Sequence, residues 1–130
     1  MKKIFFIVFV ILAGACSPRT AEDATGLLAP GDFDVKLKSD SSIVLIDVRT
    51  AEEMQSGFIA GAENMDFNSP DFHSALSSMN QSKTYFVYCA VGKRSGKAAG
   101  MMKEMGFQHV ITLDGGLKAW KAAGLPVQAP

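Results

Sequence analysis

Short apolar runs alternate with amphipathic segments along most of the chain. Continuous aliphatic or aromatic runs, typical of strands buried on both faces of a parallel sheet, occupy residues 43–46, 84–88 and 110–113, with a weaker run at 62–67. Apolar residues at helical spacing, bounded by turn residues, occupy residues 32–38, 72–79, 95–105 and 117–123. This alternation predicts an α/β domain with a mainly parallel sheet.

Two smaller patterns refine the helices. Thr50 and Glu53 have the spacing of a capping box, which predicts a short helix that Gly57 ends. In the helix predicted over residues 95–105, Gly96 and Gly100 are expected to let the helix pack closely against the sheet. No internal repeat or low-complexity segment interrupts the alternation.

The first residues have the pattern of an export signal. Lys2 and Lys3 precede an uncharged apolar run over residues 4–13, which is too short to span a bilayer comfortably. Small residues then lead to Cys16, so residues 1–15 resemble a bacterial lipoprotein signal peptide and Cys16 is the predicted lipidation site. An ordinary secretory signal and a buried core helix are the alternatives. Residues 16–25 are predicted to be a tether, and residues 26–128 the folded domain.

Charge and length narrow the function classes. The 130 residues carry a formal net charge of zero, and removing the predicted signal leaves 11 basic and 13 acidic residues. Such a chain has none of the positive excess that nucleic-acid binding requires, so no nucleic-acid partner is expected. The predicted lipid on Cys16 implies an exported, membrane-anchored lipoprotein facing the periplasm or the cell exterior, with the choice of membrane left open.

Cys89 is the strongest candidate for chemistry. It follows the apolar run at residues 84–88, and ligands of open parallel sheets bind beyond the carboxyl ends of the strands. Backbone N–H groups of the following loop, the helix behind it, and the cations Lys93 and Arg94 are expected to stabilise a thiolate. Gly92 supplies a backbone conformation that other residues resist. If Cys16 is acylated, Cys89 has no partner in this chain of two cysteines. An inert buried thiol is the alternative.

The loop over residues 89–95 and three further segments resemble the rhodanese (thiosulfate sulfurtransferase) family. The Asp-Val-Arg segment at residues 46–54, the Gly-x-Ile-x-Gly-Ala-x-Asn segment at residues 57–64 and the Asp-Gly-Gly segment at residues 113–127 occur in the family's order. Phe58 and Ala60 replace the family's usual His and Pro. The resemblance implies a five-stranded parallel sheet flanked by helices on both faces, with a short first strand near residues 26–28.

The resemblance also implies a mechanism and a set of site residues. Cys89 would be the nucleophile that carries a sulfane sulfur as a persulfide. The loop would bind the substrate through the backbone N–H groups and cations of Ala90, Val91, Gly92, Lys93, Arg94 and Ser95. The donor would be a small anion such as thiosulfate, and the acceptor a thiol, a protein or cyanide. No metal or organic cofactor is implied.

Other polar residues are expected to be structural. By the resemblance, Asp47, Arg49 and Glu53 belong to the scaffold, with Arg49 pairing with Glu53 or Glu52. His73 and His109 match no catalytic position of the family. Trp120 is expected in the core.

Three rival functions remain in view. Phosphatases and arsenate reductases of related folds have five residues between Cys and Arg, whereas this loop has four, which favours a sulfur atom over a tetrahedral oxyanion. A persulfide carrier or sulfur-delivery module would use the same loop as a sulfurtransferase. A thiol redox protein would need a resolving cysteine near Cys89, and the sequence has none there.

Overall fold

The computed structural model describes residues 25–130, which form one five-stranded sheet with helices on both of its faces. All strand pairs are parallel, and their order across the sheet is β1-β5-β4-β2-β3. The strands are β1 (Thr25–Leu28), β2 (Val44–Asp47), β3 (Glu63–Asn64), β4 (Thr84–Tyr88) and β5 (His109–Leu113). The predicted α/β architecture is confirmed.

Five helices cover the sheet. They are α1 (Pro30–Ser39), α2 (Ala51–Met54), α3 (Phe72–Ser77), α4 (Lys93–Glu104) and α5 (Gly116–Ala122). Helices α3 and α4 bury Phe72, Leu76 and Met102 on one face of the sheet. Helices α1 and α5 bury Phe33, Leu117 and Trp120 on the other face, as expected for Trp120.

Strand β4 lies at the centre of the sheet and positions the cysteine. Its side chains alternate between the faces: Tyr85 and Val87 join the cluster under α3 and α4, and Phe86 and Tyr88 join the cluster under α1 and α5. Continuing the period of two, Cys89 belongs to the α4 side. The cysteine that follows β4 therefore lies on the same face as the helix that follows it in sequence.

The element boundaries differ slightly from those predicted. Helix α4 begins at Lys93, two residues before the predicted Ser95, and Thr25 belongs to β1 although it was assigned to the tether. The predicted signal peptide, Cys16 and the rest of the tether lie outside the described residues. None of the helices within residues 25–130 has the length and apolar character needed to cross a membrane.

The prediction for Gly96 and Gly100 is wrong. Both residues lie on the exposed side of α4, and a Cβ built on either would meet no atom within 4 Å. Ala98, Ala99 and Met102 form the side of α4 that packs on the sheet. The close packing of this helix therefore comes from its alanines.

Candidate active site

The cysteine loop connects β4 to the first turn of α4. Cys89 is 1% exposed, and Gly92, the residue that precedes the helix, has a φ of 99°. A left-handed conformation of this kind strains residues with a Cβ, so glycine suits the position. The turn at Gly92 folds the loop back over Cys89 and directs the first backbone N–H groups of α4 toward the sulfur.

The Cys89 sulfur accepts hydrogen bonds from the loop. The backbone N–H of Gly92 lies 3.1 Å from Sγ and that of Ser95 lies 3.4 Å from it. The Ser95 hydroxyl oxygen is 3.3 Å from Sγ and also 3.2 Å from the carbonyl oxygen of Gly92. Because a hydroxyl has a single proton, Ser95 can donate it to a thiolate or turn it to Gly92 and accept from a thiol. The site thus accommodates both protonation states of Cys89.

These contacts favour the thiolate. Burial alone would raise the pKa of the Cys89 thiol, but the Ser95 hydroxyl and the backbone N–H groups of Ser95, Gly92 and Val91 together lower the pKa below its ordinary value. A thiolate held in this way is a nucleophile at neutral pH. The predicted role of Ser95 as a helix cap is therefore replaced by a direct contact with the sulfur.

Substituting Ser95 by Ala is expected to raise the pKa of Cys89. The variant loses the hydroxyl but keeps the backbone N–H of residue 95, so part of the stabilisation of the thiolate remains. The pH dependence of Cys89 alkylation by iodoacetamide measures the change, and its midpoint should move to higher pH than in the wild type. An unmoved midpoint would mean that the hydroxyl bonds Gly92 in both states.

Helix α5 holds the opposite side of the loop. The backbone N–H groups of Leu117 and Lys118 donate to the carbonyl oxygens of Cys89 and Ala90, at 2.9 and 3.0 Å. With these two carbonyls bound to α5, the following N–H groups of the loop are free to face the sulfur. A Cβ built on Gly116 would lie 2.6 Å from the carbonyl carbon of Ala90 and from the carbonyl oxygen of Cys89. Gly116 thus allows α5 to approach the loop.

Substituting Gly116 by Ala is expected to disturb the loop and slow the reactions of Cys89. The new Cβ would overlap the backbone of the loop, which must then shift away from α5. Gly124→Ala is a matched control, since Gly124 has a similar φ, 75° against 63°, but no atom within 4 Å of its Cβ position. Both variants should lose roughly 1–2 kcal/mol from backbone strain, whereas the rate of Cys89 alkylation should fall only in Gly116→Ala. Equal rates in the two variants would contradict the role assigned to Gly116.

Arg94 is bound by a carboxylate in the structure. Its Nη1 and Nη2 atoms each lie 2.8 Å from an oxygen of Glu53, which forms a two-pronged ion pair between α4 and α2. Hydrogen bonds from Arg94 are the main cause that lowers the pKa of the Glu53 carboxyl to about 2. Thr50 and Glu53 also form the predicted capping box, which fixes the carboxylate in place. Arg94 therefore anchors the loop to α2, and Lys93 remains exposed beside it.

The prediction that Arg49 pairs with Glu53 or Glu52 is wrong. The guanidinium of Arg49 binds Asp47, with Nη2 2.7 Å from Oδ2, and both side chains are almost completely buried. Arg49 reaches only the backbone carbonyls of Glu53 and Gly57, at 3.3 and 2.8 Å. The sequence spacing suited a pair with Glu53, but that carboxylate turns toward the cysteine loop. Asp47 and Arg49 thus support α2, as expected of scaffold residues.

The sequence singled out the loop but missed Gly116 as part of the site. The signal was present, because Gly115 and Gly116 follow directly after a buried strand, but it was interpreted as a simple turn. His73 is exposed and His109 lies at the amino end of β5, away from Cys89. Within residues 25–130, no group of His, Cys, Asp and Glu side chains is arranged to hold a metal ion.

Comparisons with known proteins agree with this geometry. The family model of the rhodanese-like domain matches residues 30–123. A sulfurtransferase of Allochromatium vinosum is 30% identical over 95 residues, which cover 73% of this chain and 87% of that protein. The thiosulfate sulfurtransferase GlpE of Pseudomonas putida is 31% identical over 94 residues, which cover 72% of this chain and 83% of that protein.

Other relatives are longer or share mainly the fold. The Bacillus subtilis protein YrkF, named as a candidate sulfur carrier, is 31% identical over 68% of this chain, which spans 46% of YrkF. The crystal structure of a rhodanese-related protein from Thermoplasma volcanium has a TM-score of 0.70 and 25% identity, covering 79% of this chain and 97% of that one. From the family match and these similarities, we conclude that the chain belongs to the rhodanese-like family of sulfur-transfer proteins.

Proposed function

We propose that this protein moves a sulfane sulfur from an anionic donor such as thiosulfate to a thiol or cyanide acceptor, through a persulfide on Cys89. The observation that carries the proposal is the Cys89 sulfur, which accepts hydrogen bonds from the N–H groups of Gly92 and Ser95 at the start of α4. The similarity to thiosulfate sulfurtransferase GlpE supports thiosulfate as the donor.

Two displacements at sulfur complete the reaction. The Cys89 thiolate attacks the outer sulfur of thiosulfate, the sulfur–sulfur bond breaks, and sulfite leaves with the bonding electron pair. A thiolate or cyanide then attacks the outer sulfur of the persulfide, and Cys89 leaves as a thiolate. The loop N–H groups that lower the pKa of Cys89 serve both steps, because the cysteine is an attacking thiolate in the first and a leaving thiolate in the second.

Lys93 is the loop cation available to the donor. Arg94 is committed to Glu53, so its charge contributes to the field around the loop while its donors are already bound. Lys93 is exposed at the first position of α4. In the proposed reaction, Lys93 and the N–H groups of α4 attract the anionic donor.

A persulfide carrier is the second candidate, and the burial of Cys89 favours it. A sulfur that is 1% exposed is reached with difficulty, so a partner protein that opens the loop would be the natural acceptor. The similarity to YrkF, named as a candidate sulfur carrier, supports this alternative.

Steady-state turnover separates the two functions. The protein is incubated with thiosulfate, its intact mass is measured, and turnover with cyanide and with a small thiol is then followed. A sulfurtransferase loads one sulfur atom and turns over repeatedly with small acceptors. A carrier loads the sulfur but turns over poorly. Failure to gain sulfur from thiosulfate, with the fold intact, would refute the proposed donor.

We further propose that the mature protein is an exported lipoprotein, anchored through Cys16 and facing the periplasm or the cell exterior. The support is the pattern of residues 1–16, with two lysines, an apolar run and small residues before the cysteine. Wild-type protein expressed in bacteria should partition into the detergent phase of a Triton X-114 extract, and Cys16→Ser should lose the lipid. Incorporation of labelled palmitate into the Cys16→Ser variant would contradict this anchor.

A further inference from the structure

A cavity of about 280 Å³ lies beside the cysteine loop. Its walls come from β2's carboxyl end, the loop and α5, through the residues Arg49, Ala90, Val91, Leu117, Lys118 and Lys121. Ala90 and Val91 directly follow Cys89 in the chain. A molecule in this cavity would therefore lie against the loop that holds the reactive sulfur.

The charge of this cavity is positive. Lys118 and Lys121 are exposed and, three residues apart on α5, lie on the same side of the helix. Neither forms an ion pair with any residue between 25 and 130, whereas the charge of Arg49 is compensated by Asp47. No carboxylate lines the cavity. Two uncompensated cations thus face any ligand that enters.

The rest of the wall is apolar. Val91 is 52% exposed, which is unusual for a valine, and Ala90 and Leu117 complete the surface around it. Binding sites for small molecules commonly combine an apolar surface with a few placed polar groups. An apolar wall next to two cations suits a ligand with a short hydrocarbon stem and an anionic end.

The cavity is larger than the proposed donor needs. Thiosulfate has five heavy atoms and occupies the space of a few water molecules, each of which has a share of about 30 Å³. Cyanide is smaller still. The volume therefore leaves room for a larger anion next to the loop.

We propose that this cavity binds the sulfur acceptor and that the acceptor is a small thiol carrying a carboxylate. The inference rests on the proposed function, since it names the acceptor class for the same persulfide. Lys118 and Lys121 bind the carboxylate, the stem lies on Val91, and the thiolate attacks the outer sulfur of the Cys89 persulfide. The sulfur–sulfur bond to Cys89 breaks, and the acceptor leaves as a persulfide.

A matched pair of thiols tests the acceptor class. Cys89 is loaded with thiosulfate in a Cys16→Ser background, so that it is the chain's single thiol. Loss of the added sulfur is then timed by intact mass with 3-mercaptopropionate, which carries a carboxylate, and with 2-mercaptoethanol, which is neutral. The ratio of the two rates is compared between the wild-type loop and Lys118→Gln/Lys121→Gln. The intrinsic reactivity of each thiol cancels in that comparison.

The variant with glutamines on α5 should lower this ratio about fivefold, as expected for the loss of two exposed attractions. The control Lys83→Gln/Lys103→Gln removes the same charge at the start of β4 and the end of α4, and it should leave the ratio unchanged. An unchanged ratio in the α5 variant would overturn the acceptor site while leaving the proposed function intact. The same conclusion would follow if both double variants lowered it equally, because only net charge would then matter.

Direct alkylation separates a failure of this site from a failure of the proposed function. Iodoacetate and iodoacetamide are a matched anionic and neutral pair that react with Cys89 without any sulfur donor. If thiosulfate loads no sulfur, the proposed function fails. A lower iodoacetate to iodoacetamide ratio in Lys118→Gln/Lys121→Gln would then still support an anion site on α5, and an unchanged ratio would refute it.

Discussion

Substituting Cys89 by Ser is expected to abolish loading of sulfur from thiosulfate and to leave the fold in place. The serine oxygen can take the hydrogen bonds that Gly92 and Ser95 now donate to sulfur, so no buried polar group is left without a partner. A change in the free energy of unfolding of only about 1 kcal/mol is therefore expected. The hydroxyl is far less acidic than the thiol and supplies no soft nucleophile, so the first displacement cannot begin.

Intact mass spectrometry measures this loss directly. In a Cys16→Ser background, the protein with Cys89 should gain the mass of one sulfur atom after thiosulfate, and the variant without it should gain none. Ser95→Ala is the matched control, because it removes a neighbouring oxygen but keeps the nucleophile, and it should still load sulfur at a lower rate. A sulfur adduct on the Cys89→Ser variant would place the chemistry on another residue and would refute the proposed site.

The parts of this site that follow from local patterns could be predicted from the sequence. The run at residues 84–88 has the bounds predicted for it, because a strand buried on both faces is apolar throughout and ends at its first polar turn. The capping box of Thr50 and Glu53 depends only on residues three apart, and it is present as predicted. Cys89, Gly92 and Ser95 are neighbours in the chain, so their meeting required only the loop and the helix after it.

The contacts between distant segments could not be predicted in the same way. Glu53 has two cations within reach of a plausible pairing, Arg49 and Arg94, and sequence spacing favours the nearer one. The fold decides otherwise, because Asp47 already binds Arg49 inside the protein and the exposed end of α2 faces the loop. The contact of Gly116 with Ala90 joins residues 26 positions apart and depends on how α5 meets the sheet. Such choices are made by packing, for which a single sequence has no local signal.

Helix α4 illustrates how one function can displace another. Ser95 has the chemistry of a helix cap, and the sequence therefore placed the helix start there. The helix begins at Lys93 instead, with Gly92 in a left-handed conformation before it and no side-chain cap. The Ser95 hydroxyl is thereby available to the Cys89 sulfur. The loop gives up a stabilising cap and gains a donor for the thiolate, as expected where a local rule yields to an active site.

Substituting Arg49 by Met is expected to have the largest effect on stability. It would leave the Asp47 carboxylate, which is 0% exposed, without its cation in the interior. Removing one partner of a buried ion pair typically costs about 3–5 kcal/mol, out of a total of about 5–15 kcal/mol for a domain. Urea denaturation followed by far-UV circular dichroism measures the change. The matched control is Lys38→Met, which breaks the exposed pair with Asp34 and should cost less than about 1 kcal/mol.

A double variant separates the unpaired charge from the other contacts of Arg49. Asp47→Asn in the Arg49→Met background removes the buried charge, so part of the lost stability should return. The recovery should be incomplete, because Arg49 also donates to the carbonyls of Glu53 and Gly57 and so supports α2. Since α2 carries the carboxylate that binds Arg94, both variants should also react more slowly at Cys89. Full recovery of stability together with normal Cys89 reactivity would show that the Asp47–Arg49 pair contributes charge balance alone and has no part in holding the loop.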